Sequence, residues 1–348
     1  MTTFDLKSFI ESQGWSFYGI APIDEVKAAL SRHRPVFDAW ESAGYEADMD
    51  YLRRMAEDRF NPEHKLPGVK SAIVLASWYG YEQKMCSTKE GKVARYAGGR
   101  DYHKVLRKKL DALTEYLKQW NPLVMTYPSV DSGPTVDRVL AEAASLGFFG
   151  KNSCIIDPSK GSYFFIATLF TTMDLSATPK RQMPNCGNCT KCMDACPTGA
   201  IVKPGVIDAR KCISYLTIEN RGGIPEDLRP KIGNRLFGCD ICQEVCPFTV
   251  GRAHTQTVKI ETLTAEAGSG ESLDLREILA IKTDAEFEKK FAGTPIMRAK
   301  RRGLLRNACV VAGNSGDRSL ISFLDDFLQI ETDPMLREHA LWARGRLS

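Results

Sequence analysis

Apolar residues recur along this chain with changing period, and the changes divide it. In "TTFDLKSFIESQGW", Phe4, Leu6, Phe9 and Ile10 share one face at helical spacing behind a capping residue. "MDYLRRMAEDRF" is patterned alike, so residues 1–60 read mostly helical. "SAIVLASWY" (71–79) is an unbroken apolar run after Pro67-Gly68, as a buried strand requires. "DYHKVLRKKLDALTEYLKQW" (101–120) returns to helical spacing through Val105, Leu106, Leu110, Leu113 and Leu117. "LVMTYPSVDSGP" (123–134) reads as a strand running into a turn, and "TVDRVLAEAASLGFFGKN" as a helix ended by Gly147. "SCIIDPSKGSYFFIATLFTTMDL" (153–175) reads as a hairpin turning between Pro158 and Gly161.

Strands alternating with helices predict an α/β or α+β domain over residues 1–178. "SATPKRQMPN" and "AEAGSGES" (265–272) read as linkers, which sets off a segment over 179–262 and an all-helical tail over 273–348. In the tail, "LLRNACVVAGNSGD" and "MLREHALWARGRL" align Arg306 with Arg337, 31 residues apart. That is a weak HEAT-like repeat or an ordinary helical hairpin.

Composition changes the picture little until the cysteines. The formal net charge is +4 over 348 residues, which does not by itself argue for nucleic acid. The first residues carry neither a secretory pattern nor a twin-arginine pair. No window approaches the roughly 18 uninterrupted apolar residues of a membrane span. A cytoplasmic monomer without membrane contact is expected. In that reducing compartment the 11 cysteines are not a disulfide framework.

Eight of the 11 lie between 186 and 246. Cys186-x2-Cys189-x2-Cys192-x3-Cys196-Pro197 is the bacterial ferredoxin run, whose fourth thiolate serves the other cluster. Cys239-x2-Cys242-x3-Cys246-Pro247 is a second, shorter set. With that exchange, one [4Fe–4S] cluster takes Cys186, Cys189, Cys192 and Cys246. The other takes Cys196, Cys239, Cys242 and the only nearby candidate, Cys212. Two tetrahedral zinc sites are the alternative use of eight thiolates, though this spacing is rare for zinc. Cys86, Cys154 and Cys309 read as plain buried or semi-buried thiols. A ferredoxin alone needs no α/β partner of this size, so the N-terminal domain should hold the electron acceptor.

"ARYAGGRDYHKVLRKKL", "VDSGPTVDRVLAE", "LGFFGKNS", "CISYLTIENRGGIPEDLRPKIGNRLFGCDICQEVCP" and "GTPIMRAKRRGLLRNACVVAGNSGD" together resemble the epoxyqueuosine reductases. These are cobalamin-dependent iron–sulfur enzymes of the last step of queuosine synthesis in tRNA, related by fold to reductive dehalogenases. The resemblance runs from about residue 45 to the C-terminus and is looser over the first 40 residues. One departure is Phe248-Thr249, where the family often has Trp-Asn. The effect expected there is local.

The resemblance implies base-off cobalamin in the N-terminal domain, two clusters in the ferredoxin-like segment feeding it electrons, an external low-potential donor, and a tRNA substrate. The epoxide becomes an alkene and its oxygen leaves as water. Asp131 in "VDSGP" matches the family's proton donor, and desolvation at the end of an apolar strand would raise its pKa. On local sequence alone the better reading is a turn-forming cap, and it is the resemblance that reverses this. Tyr102 and His103 match residues near corrinoid or substrate, or mark a helix start capped by Asp101. His103 as a cobalt ligand is disfavoured, because Asp-x-His-x-x-Gly is absent.

Arg59, Arg95, Lys151 and Asn152 are candidates for corrinoid amides, its phosphate tail or substrate, against a surface-charge reading. Ser214 and Tyr215 are placed between the second cluster and the corrinoid. Arg298, Lys300, Arg301, Arg302 and Arg306 read as a surface for tRNA phosphates or as a solvated helix face. The alternatives for the whole chain are a corrinoid-dependent reductase of small, organohalide-type molecules, and a ferredoxin-like electron carrier.

Overall fold

The computed structural model describes residues 5–252 and 258–348. Phe4, read as part of the first helical face, lies outside them. Strands β1 (Phe17–Pro22), β2 (Ser71–Trp78), β7 (Phe164–Thr171) and β4 (Thr126–Ser129) form a four-stranded sheet in the order β1-β2-β7-β4, antiparallel throughout. Every residue of β2 is buried, which explains its unbroken apolar run. Helices Ile23–Ser42, Tyr102–Trp120 and Asp137–Ala143 pack on this sheet. The alternation of strands and helices thus resolves as mixed α and β with antiparallel pairing.

Two expectations change here. β1 lies within the stretch read as helical. Its Gly19 runs so close to the end of helix Asp137–Ala143 that a Cβ would sit 2.0 Å from the Ala144 carbonyl oxygen. The expected hairpin does not form as one. β6 (Ile155–Ile156) pairs back onto β5 (Phe148–Phe149), and only an isolated bridge, Asp157 to Gly161, spans the turn before β7. The Asp157 carboxylate ties that turn by accepting from the N–H groups of Ser159 (2.8 Å) and Lys160 (2.9 Å).

A second sheet interlocks distant segments. β3 (Glu90–Val93) pairs in parallel with β10 (Arg235–Phe237) and antiparallel with β11 (Ser272–Asp274). β8 (Ile201–Lys203) and β9 (Val206–Ile207) form a small ribbon after Cys196. The C-terminal helices Lys300–Ser315, Ile321–Ile330 and Pro334–Leu347 pack together, and the first is buried from Gly303 to Gly313. Their core also takes in Val93, Ile218, Leu236 and Phe237. The tail is therefore continuous with the segment between Cys212 and Cys239. Among the described residues no helix is long and apolar enough to cross a membrane.

Candidate functional site

β4 delivers Asp131 two residues past its end, in the left-handed region at φ +51°. Aspartate is among the few non-glycine residues that tolerate this conformation. The loop is held from below. The Asp131 N–H donates to Asp137 Oδ2 (3.1 Å), Thr135 donates its hydroxyl to Asp137 Oδ1 (2.7 Å), and Arg59 Nη1 donates to the Thr135 carbonyl (3.1 Å). The turn is thus tied by Asp137, and the Asp131 carboxylate is left to point outward, 63% exposed.

Helix Tyr102–Trp120 presents two partners to that carboxylate. The Tyr102 hydroxyl donates to Asp131 Oδ2, and His103 Nε2 lies 3.5 Å from the same oxygen. Asp101 caps the helix through the His103 N–H (3.1 Å) and also holds His103 Nδ1 at 2.9 Å. "DYH" is thus a helix start, and its Tyr102 and His103 side chains also meet Asp131. The Tyr102 ring is stacked between Phe165 of β7 (4.3 Å) and the His103 imidazole (4.0 Å).

Charge states follow from these contacts. Partial loss of water pulls the His103 pKa down, but hydrogen bonds to Asp101 and Asp131 outweigh it and raise it to about 9. For Asp131, lost water pushes upward, yet the bonds to His103 and Tyr102 win and hold the carboxyl below its ordinary 3.8. The expected upward shift is thus reversed, because a cationic partner arrives from a helix 28 residues earlier. Asp137 goes the other way. Burial, reinforced by the Asp131 charge, pushes it up to about 6. Burial likewise keeps Tyr102 well above 10.

The eight clustered cysteines fall into two groups. Burial raises all four of the shifted thiols considered next, and neighbouring sulfurs add to it. Cys192 feels Cys186, Cys246 and Cys189. Cys212 feels Cys196, Cys239 feels Cys212, and Cys242 feels Cys239 and Cys212. Cys154 lies between the groups, influenced by Cys246 and Cys192 and influencing Cys242. Among the described residues no three Cys, His, Asp or Glu side chains converge to hold a single metal ion. Main-chain donors already point at sulfur: Lys151 N–H at Cys186 Sγ (3.4 Å) and Ala200 N–H at Cys196 Sγ (3.3 Å). Phe248, at the departure from the family pattern, packs edge-on against Phe148 beside Cys246, and Thr249 is buried next to Ser162.

Several nominated residues turn out to serve this segment. Arg95 is buried, donating to Asp240 (3.3 Å), Glu244 (2.9 Å) and the Tyr81 carbonyl (2.9 Å). Lys151 Nζ donates to the Gly187 carbonyl (2.8 Å), and Asn152 Nδ2 to the Cys242 carbonyl (3.1 Å). Each thus has a donor engaged by the cysteine-rich segment. Tyr215 exchanges hydrogen bonds with Asp48, and Ser214 is half-buried in the helix Ile213–Ile218 that Cys212 precedes. Arg59 keeps a buried Nε without a partner, and its guanidinium lies over the Tyr51 ring at 6.0 Å.

The basic run divides. Arg306 is buried and donates to the carbonyls of Leu216, Asn220 and Gly222, so the phosphate role expected for it fails. Arg301 pairs with Glu331 (2.8 Å) and Arg302 with Asp333 (2.5 Å). Arg298 grips Glu219 and also lies against Tyr51, 5.9 Å from its ring. Lys300 is exposed. Sequence reasoning missed Tyr51, Asp137, Asp240 and Glu244. The second aspartate of "VDSGPTVD" was the visible signal for Asp137; the others carry none.

Comparison with known proteins follows the same division. Residues 59–132 match the family model described as epoxyqueuosine reductase QueG, DUF1730, and residues 185–249 match the 4Fe-4S double cluster binding domain. An epoxyqueuosine reductase of Pseudomonas aeruginosa is 36% identical over 98% of this chain and 93% of its own. A crystal structure of an epoxyqueuosine reductase with an epoxyqueuosine-modified tRNA-Tyr stem loop superposes with a TM-score of 0.83 at 34% identity, covering 98% of this chain and 89% of that one. The Bacillus subtilis enzyme, solved with its catalytic aspartate loop swung out of the active site, gives 0.77 at 29% identity over 99% and 98%.

Proposed function

The chain belongs to the epoxyqueuosine reductase family, and from that premise we propose that it reduces epoxyqueuosine to queuosine in tRNA, with Asp131 delivering protons to the departing oxygen. The observation that carries the reading is the Asp131–Tyr102–His103 constellation, an outward-facing carboxylate with a cationic partner, in a chain whose cysteine segment matches a double-cluster domain.

The net reaction takes an epoxide, two electrons and two protons to an alkene and water. Cys186, Cys189, Cys192 and Cys246 would hold one [4Fe–4S] cluster and Cys196, Cys212, Cys239 and Cys242 the other, which would supply single electrons drawn from an external low-potential donor. Base-off cobalamin, when bound, would supply a strongly reducing centre. Of the residues nominated to hold it, Arg59 is the one with a buried donor still unpartnered. Arg95, Lys151 and Asn152 instead fix the cluster loops. The residues' own work is then to orient and protonate. Tyr102 holds the carboxylate in place, and an alkoxide leaving group needs the proton that the Asp131 site delivers.

We read residues 1–178 as the cobalamin-binding domain, 179–262 as the cluster domain and 273–348 as a HEAT-like, tRNA-facing domain of a cytoplasmic monomer. Of the basic run, Arg298, Lys300 and Arg302 are exposed and could meet RNA. The test is anaerobic incubation of cluster-loaded protein with cobalamin, a low-potential reductant and epoxyqueuosine-containing tRNA. Nucleoside mass spectrometry should show queuosine. Turnover of an organohalide with the tRNA untouched would support the small-molecule reading instead. Failure to bind cobalamin at all would support an electron carrier.

A further inference from the structure

Loss of the epoxide oxygen as water consumes two protons, and Asp131 at neutral pH is a carboxylate that holds neither. The protons must reach it from a neighbour. Tyr102 keeps its own proton, because burial holds its pKa well above 10. Asp137 is buried beneath the loop with its oxygens taken up by the Asp131 N–H and the Thr135 hydroxyl rather than by the Asp131 carboxylate. His103 satisfies the requirements. Nε2 faces Asp131 Oδ2, and the side chain is 36% exposed and can recharge from water. Asp101 on Nδ1 fixes which nitrogen keeps its proton when the other gives one up.

We propose that His103 is the proton reservoir that loads Asp131 twice in each turnover, an inference that rests on the reading of Asp131 as proton donor. In the first transfer one C–O bond breaks, the oxygen takes a proton through Asp131, and His103 Nε2 makes up the loss. Neutral His103 then recovers a proton from solvent. In the second, the remaining C–O bond breaks, the hydroxyl takes another proton by the same route, and water leaves. The two electrons come from the low-potential donor, so epoxide, two protons and two electrons balance alkene and water. The 3.5 Å separation shortens as the proton moves, as catalytic hydrogen bonds commonly do on substrate binding. The charges that face this pair are Asp101 with Lys104 beside it on the helix, and Asp137, Arg138 and Arg59 from beneath the loop. The two flanking carboxylates dominate at His103.

The experiment uses protein loaded with both clusters and cobalamin and scores conversion of epoxyqueuosine-tRNA in single turnover across pH. Wild-type rate should hold through neutrality and fall as pH passes about 9. His103→Ala should lose about 10²- to 10⁴-fold and lose that alkaline limb, with iron content and cobalamin spectrum unchanged. Added imidazole should restore His103→Ala but not Asp131→Asn. Independently of turnover, the His103 ring followed by NMR in cobalamin-free protein should titrate near about 9 and move down in Asp131→Asn. Retention of near wild-type rate and pH profile by His103→Ala would overturn the relay, as would a ring titrating at its ordinary value or an intact variant that imidazole does not rescue. If wild-type protein converts no epoxyqueuosine while His103 titrates as expected, the assignment of the reaction falls, and the relay with it.

Discussion

Replacing Arg306 by leucine separates a phosphate-binding arginine from a structural one. The side chain is 1% exposed and reaches the Asn220 and Gly222 carbonyls with Nη1 (2.8 and 2.6 Å) and the Leu216 carbonyl with Nη2 (2.5 Å). Asn307, which also contacts Arg306, donates in turn to the Thr217 and Leu236 carbonyls (2.7 and 3.0 Å). Leucine strands three buried carbonyls at about 1–3 kcal/mol each. Against that, burial of the guanidinium itself is costly, and it pulls the Arg306 pKa down to about 10. The net loss should therefore sit near the low end of the sum, about 3 kcal/mol. For a chain of 348 residues, at about 2.1 cal/mol/K of unfolding entropy per residue, that lowers the melting temperature by roughly 4 °C. Well below that temperature, tRNA affinity should keep its salt dependence, since no phosphate contact is removed; losing one would flatten the slope by about 1. An Arg306→Leu variant that melts with wild type and shows the flattened slope would refute the reasoning.

Arg95→Met should cost about 3–5 kcal/mol, because it leaves Asp240 buried beside Glu244 without its cation; thermal melting and iron content together check this. Cys212→Ser should lose half the cluster iron while leaving the electron paramagnetic signal of the other cluster. The raised pKa of His103 gives the pair a stabilising contribution that is complete below about 6.5 and lost as pH rises through about 9. Melting temperature should therefore fall more steeply over that range in wild type than in His103→Gln.

How far the sequence could be read depended on where each residue's partner lies. The cluster cysteines were legible because iron–sulfur ligation is written in local spacing, and β2 because burial on both faces leaves an unbroken apolar run. β1 was not, since "FYGIAP" is short and Gly19 is there for the approach of Ala144, far along the chain. β3, β10 and β11 are three or four residues each, too short to carry a period. Asp131 could be singled out by resemblance, but its charge could not, because His103 comes from another element. Arg306 looked like its basic neighbours until the fold placed backbone carbonyls from 216–222 around it. Arg95, Lys151 and Asn152 were singled out for corrinoid or substrate, and the contacts the fold gives them are with the cysteine-rich segment.

The central claim is tested most directly by running the wild-type chain beside Asp131→Asn, both loaded with clusters and cobalamin, on epoxyqueuosine-containing tRNA, and reading the nucleosides by mass spectrometry. The account predicts queuosine from the wild type, none from Asp131→Asn, and equal cofactor spectra from both. Equal conversion by the two proteins would contradict the role given to Asp131, and unchanged epoxyqueuosine in both would contradict the reaction itself.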